Sequence, residues 1–211
     1  MDKILIIGTG GLAREFTSWF KDRFEIVGYS SNEHKNHSEF NLPGTLYTEN
    51  VTPNLIGTDL AVICIGNPSV KKRVYNEFSR VGFSFPTIIH HSSVLSEWVT
   101  LKEGVVIAPQ CVVSPNAKIG KLAYINFCCG IGHDALVGDF VQMNPGSQIG
   151  GESKIGDKVL IGSSSAVLQG VSIGDGSTVA SGAVVFSRVS EGVTVMGNPA
   201  RRMPALDKNL E

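Results

Sequence analysis

From Ile89 to Val185 every sixth residue is aliphatic or methionine, seventeen positions without a slip. The run passes through Leu101, Ile107, Val113, Ile119, Ile125, Ile131, Val137, Met143, Ile149, Ile155, Ile161, Val167, Ile173 and Val179. A period of six fits neither a helix, with 3.6 residues per turn, nor a lone amphipathic strand, with two. It is the pattern of a parallel β-helix built from hexapeptides. Each hexapeptide supplies one short strand and one corner, and three of them close a triangular coil of 18 residues. Small or apolar residues four places after the aliphatic one (Cys111, Ala117, Ala123, Cys129, Ala135, Ser147, Ser165, Ala183) fit the narrow remainder of the interior. Coils then stack at the usual strand spacing of about 4.8 Å, and each buries its apolar residues only against its neighbours.

The 18-residue coil turns the sequence into a map of the surface. Corner residues fall two places after each aliphatic, and positions 18 apart share an edge. One edge reads Glu103, Lys121, Asp139, Asp157, Asp175; the second Pro115, His133, Gly151, Gln169; the third Pro109, Phe127, Pro145, Ser163, Ser181. The first is charged throughout and is expected to face water. The other two carry no charge beyond His133 and are expected to face partner subunits or a ligand, as in a threefold ring.

Composition narrows the function classes. The net charge of −1 offers no footprint for nucleic acid. Charged residues make up only 18%, which suits an oligomer. No apolar run approaches the roughly 18 residues that span a bilayer, so no membrane insertion is expected. Met1-Asp2-Lys3 leads directly into an apolar strand pattern, so no signal peptide is expected. Cys64, Cys111, Cys128 and Cys129 have no zinc-site spacing and read as reduced thiols of a cytoplasmic protein.

Residues 1–86 follow a different pattern and form a first domain, with 87–211, including a C-terminal tail, as the second. Ile4–Ile7 is a buried strand, Gly8-Thr9-Gly10-Gly11 a tight turn, and Leu12 to Lys21 an amphipathic helix. Glu25–Tyr29 and Leu60–Ile65 are further strands, Ser69–Val81 a second helix, and the polar stretch 30–58 mostly loop. This is a small Rossmann-like parallel sheet, α/β in class, preceding the β-helix. Ligands of such sheets bind at the carboxyl ends of the strands: here Gly8–Gly11, Ser30–Asn32 and Gly66–Asn67. Gly8-x-Gly10-x-x-Ala13 approaches the dinucleotide fingerprint. However, Tyr29-Ser30-Ser31-Asn32 stands where an acidic ribose partner belongs, which favours another nucleotide or nucleotide sugar over NAD. A merely structural turn is the alternative.

His133 is the only histidine at a corner of the regular repeats, in Gly132-His133-Asp134. It is either a catalytic group or a plain turn histidine, and Asp134 either its partner or a turn aspartate. His90 and His91 read as structural. Asn126 and Asn144 are 18 apart and form a side-chain ladder or bring Asn126 to substrate. A metal-dependent reading needs about three converging histidines, which the repeats do not supply.

These segments, with Ile65-Gly66-Asn67, Ile88-Ile89-His90, Pro145-Gly146 and Gly197-Asn198-Pro199-Ala200-Arg201, resemble the bacterial acyltransferases that acetylate nucleotide-linked amino sugars. That group includes the bacillosamine-pathway enzymes acting on UDP-4-amino-4,6-dideoxy sugars, perosamine N-acetyltransferases and sialic acid O-acetyltransferases. The resemblance implies a left-handed β-helix, a homotrimer with active sites between subunits, acetyl-CoA as co-substrate without a metal, and direct transfer. It implies His133 as general base, oriented by Asp134, with the Gly151 N–H stabilising the oxyanion. Coenzyme A is expected along Ser163 and Ser181, with Arg201 or Arg202 at its phosphates. Gln142 stands where relatives often place a second histidine near the coenzyme. The nucleotide sugar is expected at Gly10, Gly11, Leu12, Ser30, Ser31, Gly66, Asn67 and Asn126. Leu12 occupies a position where relatives often carry His or Lys, and Ser30-Ser31 a position where some carry an Asp pair. The alternatives are O-acetylation of sialic acid or a related sugar, and a non-catalytic β-helix scaffold.

Overall fold

The computed structural model describes residues 1–206, so the last five residues of the expected tail lie outside the described part. The chain divides into two compact units, Met1–Pro86 and Thr87–Glu211.

The first unit is a four-stranded parallel sheet in the order β3-β2-β1-β4, from β1 (Asp2–Ile7), β2 (Phe24–Ser30), β3 (Thr45–Tyr47) and β4 (Ala61–Ile63). The central strand β1 is a continuous apolar run, Ile4–Ile7, buried on both faces, as a parallel sheet flanked by helices requires. Helix α1 (Gly11–Phe20) turns Ala13, Phe16 and Phe20 inward, and α4 (Pro68–Arg80) buries Phe78. The stretch expected to be mostly loop instead contains a short helix α2 (His34–Glu39), the edge strand β3 and a helical turn α3 (Pro53–Ile56). The signals for α3 are local. Thr52 Oγ1 accepts the Leu55 N–H, Pro53 opens the helix, and Gly57 closes it at φ +74°. Strand β3 has only three residues and a partner on one side, so it leaves little apolar periodicity to read.

The second unit is a parallel β-helix of hexapeptide repeats whose three sheets pair residues 18 apart, for example Ile119↔Val137, Ile125↔Met143 and Ile131↔Ile149. The periodic aliphatics form one continuous core from Val105 to Val195; Ile89, Leu95 and Leu101 in the first coils pack partly buried against it. At most corners the residue three places after the aliphatic adopts φ near +60°, including Gln110, Asn116, Leu122, Asp134 and Glu152.

The charged edge is held by more than solvation. Asp139 accepts the Lys121 N–H at 2.8 Å, Asp157 the Asp139 N–H at 2.8 Å, and Asp175 the Asp157 N–H at 2.9 Å. Each carboxylate thus caps the corner amide of the coil before it. Lys102 Nζ also approaches Asp139 at 3.3 Å, an exposed pair that adds little. Asp139→Ala is expected to cost about 1–2 kcal/mol by leaving the half-buried Lys121 amide unpaired. Asp139→Asn, which keeps an acceptor oxygen, is expected to retain most of that stability in urea unfolding.

Candidate functional site

His133 sits at its corner with Nδ1 2.8 Å from Asp134 Oδ2. A carboxylate only accepts, so Nδ1 carries a proton, and Nε2 is the nitrogen that serves as base in the neutral ring. The hydrogen bond from His133 holds the Asp134 carboxyl below the usual carboxylate range, and its slight desolvation opposes that shift. Asp134 lies at φ +58°, a conformation Asp tolerates better than most residues. The side chains of His133 and Asp134 are both half exposed, so a reactant can reach them.

Gly151 lies one coil later, with Glu152 N bonded to the His133 carbonyl at 2.8 Å. The His133 ring rests on Gly151. A Cβ added there would lie 2.6 Å from His133 Nε2 and 2.8 Å from Cε1. The glycine therefore makes room for the imidazole. The charged edge shows what else is special here. Its corner N–H groups are capped by aspartates of the next coil. On this edge the equivalent positions are Gly151 and Gln169, and the Gln169 amide turns instead to Glu152 Oε1 at 3.2 Å. Among the described residues, no acceptor meets the N–H of His133 or of Gly151. An imidazole thus rests on Gly151, and the N–H groups of both residues are left without acceptors, the parts needed to take a proton and stabilise an oxyanion.

The face between the histidine edge and the Ser163–Ser181 edge carries no charge on its outward strand positions: Val94, Val112, Gly130, Gln148, Ala166 and Val184. Val94 and Val112 are more than half and half exposed. The Pro145–Ser163–Ser181 stack is intact, with Ser164 N on Pro145 O at 2.9 Å and Gly182 N on Ser163 O at 2.8 Å. Ser163 is half-buried and Ser181 exposed.

Three of the expected site residues are held by neighbours within the chain. Gln142 has no accessible surface, and its amide donates to Asn144 Oδ1 at 3.3 Å; it presents nothing to a coenzyme. Asn126 is buried and its Oδ1 accepts the Phe127 N–H at 2.8 Å, which makes it a backbone cap. Asn67 Oδ1 accepts the N–H groups of Ser69 and Val70 at 3.0 and 3.1 Å and caps α4. Arg201 is exposed beside Arg188 and Arg202 around a pocket of 260 Å³ at the last coil. Cys129 points into the core, 3.3 Å from Ser147 Oγ, so it is no nucleophile.

In the first unit, Gly8 takes φ +112°, and a Cβ there would meet the Cys64 carbonyl oxygen at 2.8 Å; the turn demands glycine. Thr9, buried, bonds Ser31 Oγ at 3.2 Å and the Glu33 carbonyl at 3.3 Å. Gly10 and Gly11 have open space where side chains would stand, and Leu12 lies near Gly66. A pocket of 440 Å³ opens at the carboxyl ends of the strands, lined by Gly8, Ser30, Ser31 and Asn32 as the sequence suggested. Its remaining polar wall is Thr48, Glu49 and Asn50 after β3 and Arg73 and Glu77 on α4. Thr48, Glu49 and Asn50 are not legible in the sequence because β3 is not. Gly10, Gly11, Leu12, Gly66 and Asn67 do not line it.

Lys71 is fully buried on α4, and burial pushes its ammonium down to about 7, while the nearby Cys64 opposes the shift. A lysine whose folded value lies below its unfolded value of about 10.4 weakens the fold below neutrality and ceases to do so above pH 10. Stability is therefore expected to rise between pH 7 and 9, by at most about 1.4 kcal/mol per pH unit from this group, and Lys71→Met is expected to flatten that slope in thermal melts.

Among the described residues no group of three or more His, Cys, Asp or Glu is placed to hold a metal, and no helix is long and apolar enough to cross a membrane. Residues 3–78 match the family model described as the PglD N-terminal domain, and residues 152–187 the bacterial transferase hexapeptide model of six repeats. Among solved structures, a histidine mutant of GDP-perosamine N-acetyl transferase from Caulobacter crescentus, in complex with CoA and GDP-perosamine, is 24% identical. Its TM-score is 0.83, over 96% of this chain and 97% of that one. The acetyltransferase domain of PglB from Neisseria gonorrhoeae is 23% identical with a TM-score of 0.84, covering 96% and 100%. WeeI from Acinetobacter baumannii is 26% identical with a TM-score of 0.80, covering 96% and 100%. These likenesses establish a shared fold.

Proposed function

The chain joins a PglD N-terminal domain to bacterial transferase hexapeptide repeats, and on that basis we propose that it is an acetyl-CoA-dependent N-acetyltransferase for a nucleotide-linked amino sugar. A UDP-4-amino-4,6-dideoxy sugar is the acceptor that the sequence resemblance favours. The observation that carries the reading is the His133–Asp134 pair resting on Gly151, with two corner amides left unspent. Related folds whose names include acetyl transfer, one solved with acetyl coenzyme A, support it.

In this mechanism the neutral sugar amine attacks the thioester carbonyl carbon, forming the C–N bond. His133 Nε2 takes the proton the nitrogen sheds, and Asp134 stabilises the resulting imidazolium through Nδ1–H. The Gly151 N–H donates to the tetrahedral oxyanion, an effect worth roughly 3–4 kcal/mol where such donors have been removed. Collapse breaks the C–S bond, and the imidazolium returns its proton to the departing thiolate. No acyl-enzyme is needed. Ser163 and Ser181 line the coenzyme's path, and Arg201 reaches its phosphates. Ser30 and Ser31, in the pocket at the strand ends, meet the nucleotide sugar, and Gly10, Gly11, Leu12 and Gly66 contact it outside that pocket.

The uncharged face flanked by two uncharged edges is the surface through which three copies associate, each setting its histidine edge against the Ser163–Ser181 edge of a neighbour. A monomer would then carry half a site. We read the reaction as a cytoplasmic step of surface-glycan synthesis, which suits acetyl-CoA and a nucleotide sugar as substrates. The test is thiol release from acetyl-CoA with UDP- and GDP-linked 4-amino sugars, free sialic acid and no acceptor, alongside light scattering. Turnover with one nucleotide amino sugar by a trimer supports the reading. Turnover with sialic acid alone replaces it with O-acetylation, and silence from a folded trimer removes it.

A further inference from the structure

On the reading of this chain as a nucleotide-sugar acetyltransferase, we propose that the cavity at the strand ends of the first unit takes a guanine base, read by Arg73 and Glu77 on α4. The acceptor is then a guanosine diphosphate sugar. The cavity measures 440 Å³, within the roughly 300–1,000 Å³ of small-ligand sites. Ile7, Ile65 and Phe78 give it an apolar floor, and Ile7 and Phe78 belong to the buried core. Glu49, Arg73 and Glu77 supply the charge on its wall.

Those charges decide which part of a nucleotide fits. Two carboxylates against one guanidinium leave a negative excess, which repels a diphosphate. The phosphates belong instead at the glycine turn, where Gly10 and Gly11 have open space around them and lie outside the cavity. The apolar floor and polar wall are left for the base, a flat uncharged ring with polar edges.

Among the bases, guanine matches this wall. Its perimeter carries two donors in succession, N2–H and N1–H, then two acceptors, O6 and N7. A carboxylate only accepts and takes two parallel donors, and a guanidinium only donates and takes two acceptors. Arg73 and Glu77 are four residues apart on α4, so they are neighbours on one side of the helix, and both line the cavity. They offer an acceptor pair next to a donor pair, as the guanine perimeter requires. Uracil has one N–H between two carbonyl oxygens, so a carboxylate facing it sets its second oxygen against an acceptor. Adenine and cytosine place a ring-nitrogen acceptor beside the amine, with the same conflict.

The simpler account is an ion pair along an exposed helix face. No ion pair joins Arg73 and Glu77, and among the described residues neither they nor Glu49 has an ionic or hydrogen-bonded side-chain partner. Their order, Arg before Glu, is also the less favourable one for pairing on a helix. All three are exposed at the cavity wall, where a ligand can reach them.

The experiment measures the affinity of the full-length protein for GDP, UDP and IDP by titration calorimetry, in wild type, Glu77→Gln and Arg73→Met. IDP is GDP without the 2-amino group. Wild type is expected to bind GDP about tenfold more tightly than either UDP or IDP. Glu77→Gln is expected to melt like wild type, to lose about tenfold for GDP and nothing for UDP, and to lose the preference for GDP over IDP. Arg73→Met is expected to weaken GDP and IDP by the same factor, since both keep O6 and N7. UDP bound as tightly as GDP by wild type would overturn the proposal, as would a GDP-to-IDP ratio that survives Glu77→Gln. Selective binding of GDP without acetyl transfer to any GDP-linked amino sugar would remove the acetyltransferase and support the guanine pocket. Acetylation of a UDP-linked sugar without binding of GDP would do the reverse, and a folded protein that binds none of the three would remove both.

Discussion

Replacing His133 with alanine is expected to lower kcat by about 10²–10⁴-fold, with KM for both substrates little changed. The imidazole contributes a proton acceptor present at the moment of attack. Its Nε2 is the nitrogen not committed to Asp134, and it lies over the Gly151 backbone where the carbonyl oxygen is to be held. The side chain is half exposed and outside the core, so its removal takes no buried contacts away and the melting temperature is expected to stay within about 2 °C. Steady-state kinetics and a thermal melt on the same preparation check both halves. A large activity loss accompanied by unfolding would show that the ring is structural.

Gly151→Ala is the second large effect, expected at about 10²-fold in kcat with almost no change in stability. The new methyl group would stand 2.6 Å from His133 Nε2, too close to persist. What it meets is the end of an exposed side chain, which swings aside at little cost to folding. The ring then no longer lies beside the Gly151 amide, and proton transfer and oxyanion stabilisation are uncoupled. The neighbouring Gly150→Ala provides the contrast. Its Cβ would lie 2.5 Å from the backbone nitrogen of Gln169, which cannot swing aside, so that variant is expected to lose about 1–3 kcal/mol of stability. Urea unfolding and kinetics on the pair separate a positional role for Gly151 from a packing role.

The prism was legible because its rule is one-dimensional. Ile119, Ile125 and Ile131 are core residues for the same reason, and adding 18 to any of them finds its neighbour in the next coil. The same arithmetic identified the histidine edge and placed Gly151 above His133. What the period does not encode is where a side chain turns. Gln142 and Asn126 fall at positions that suit a ligand, yet the first is shut in against Asn144 and the second folds back on the Phe127 amide. The aspartates of the first edge looked like solvated charge and are caps for the coil below. In the first unit the glycine turn and the strand ends were readable from Gly8 and Ser30–Asn32. The wall formed by Thr48, Glu49 and Asn50 was not, because the three-residue strand that delivers it is too short for its pattern to rise above the polar sequence around it.

The central claim is tested most directly by the product itself. Full-length protein is incubated with acetyl-CoA and UDP- or GDP-linked 4-amino-4,6-dideoxy sugars, and the sugar nucleotide is examined by mass spectrometry and proton NMR. The account predicts the gain of one acetyl group on the sugar nitrogen, dependent on His133, with free CoA formed in equal amount. Acetylation only at a hydroxyl, or a sugar nucleotide recovered unchanged while the protein is folded and trimeric, would contradict it.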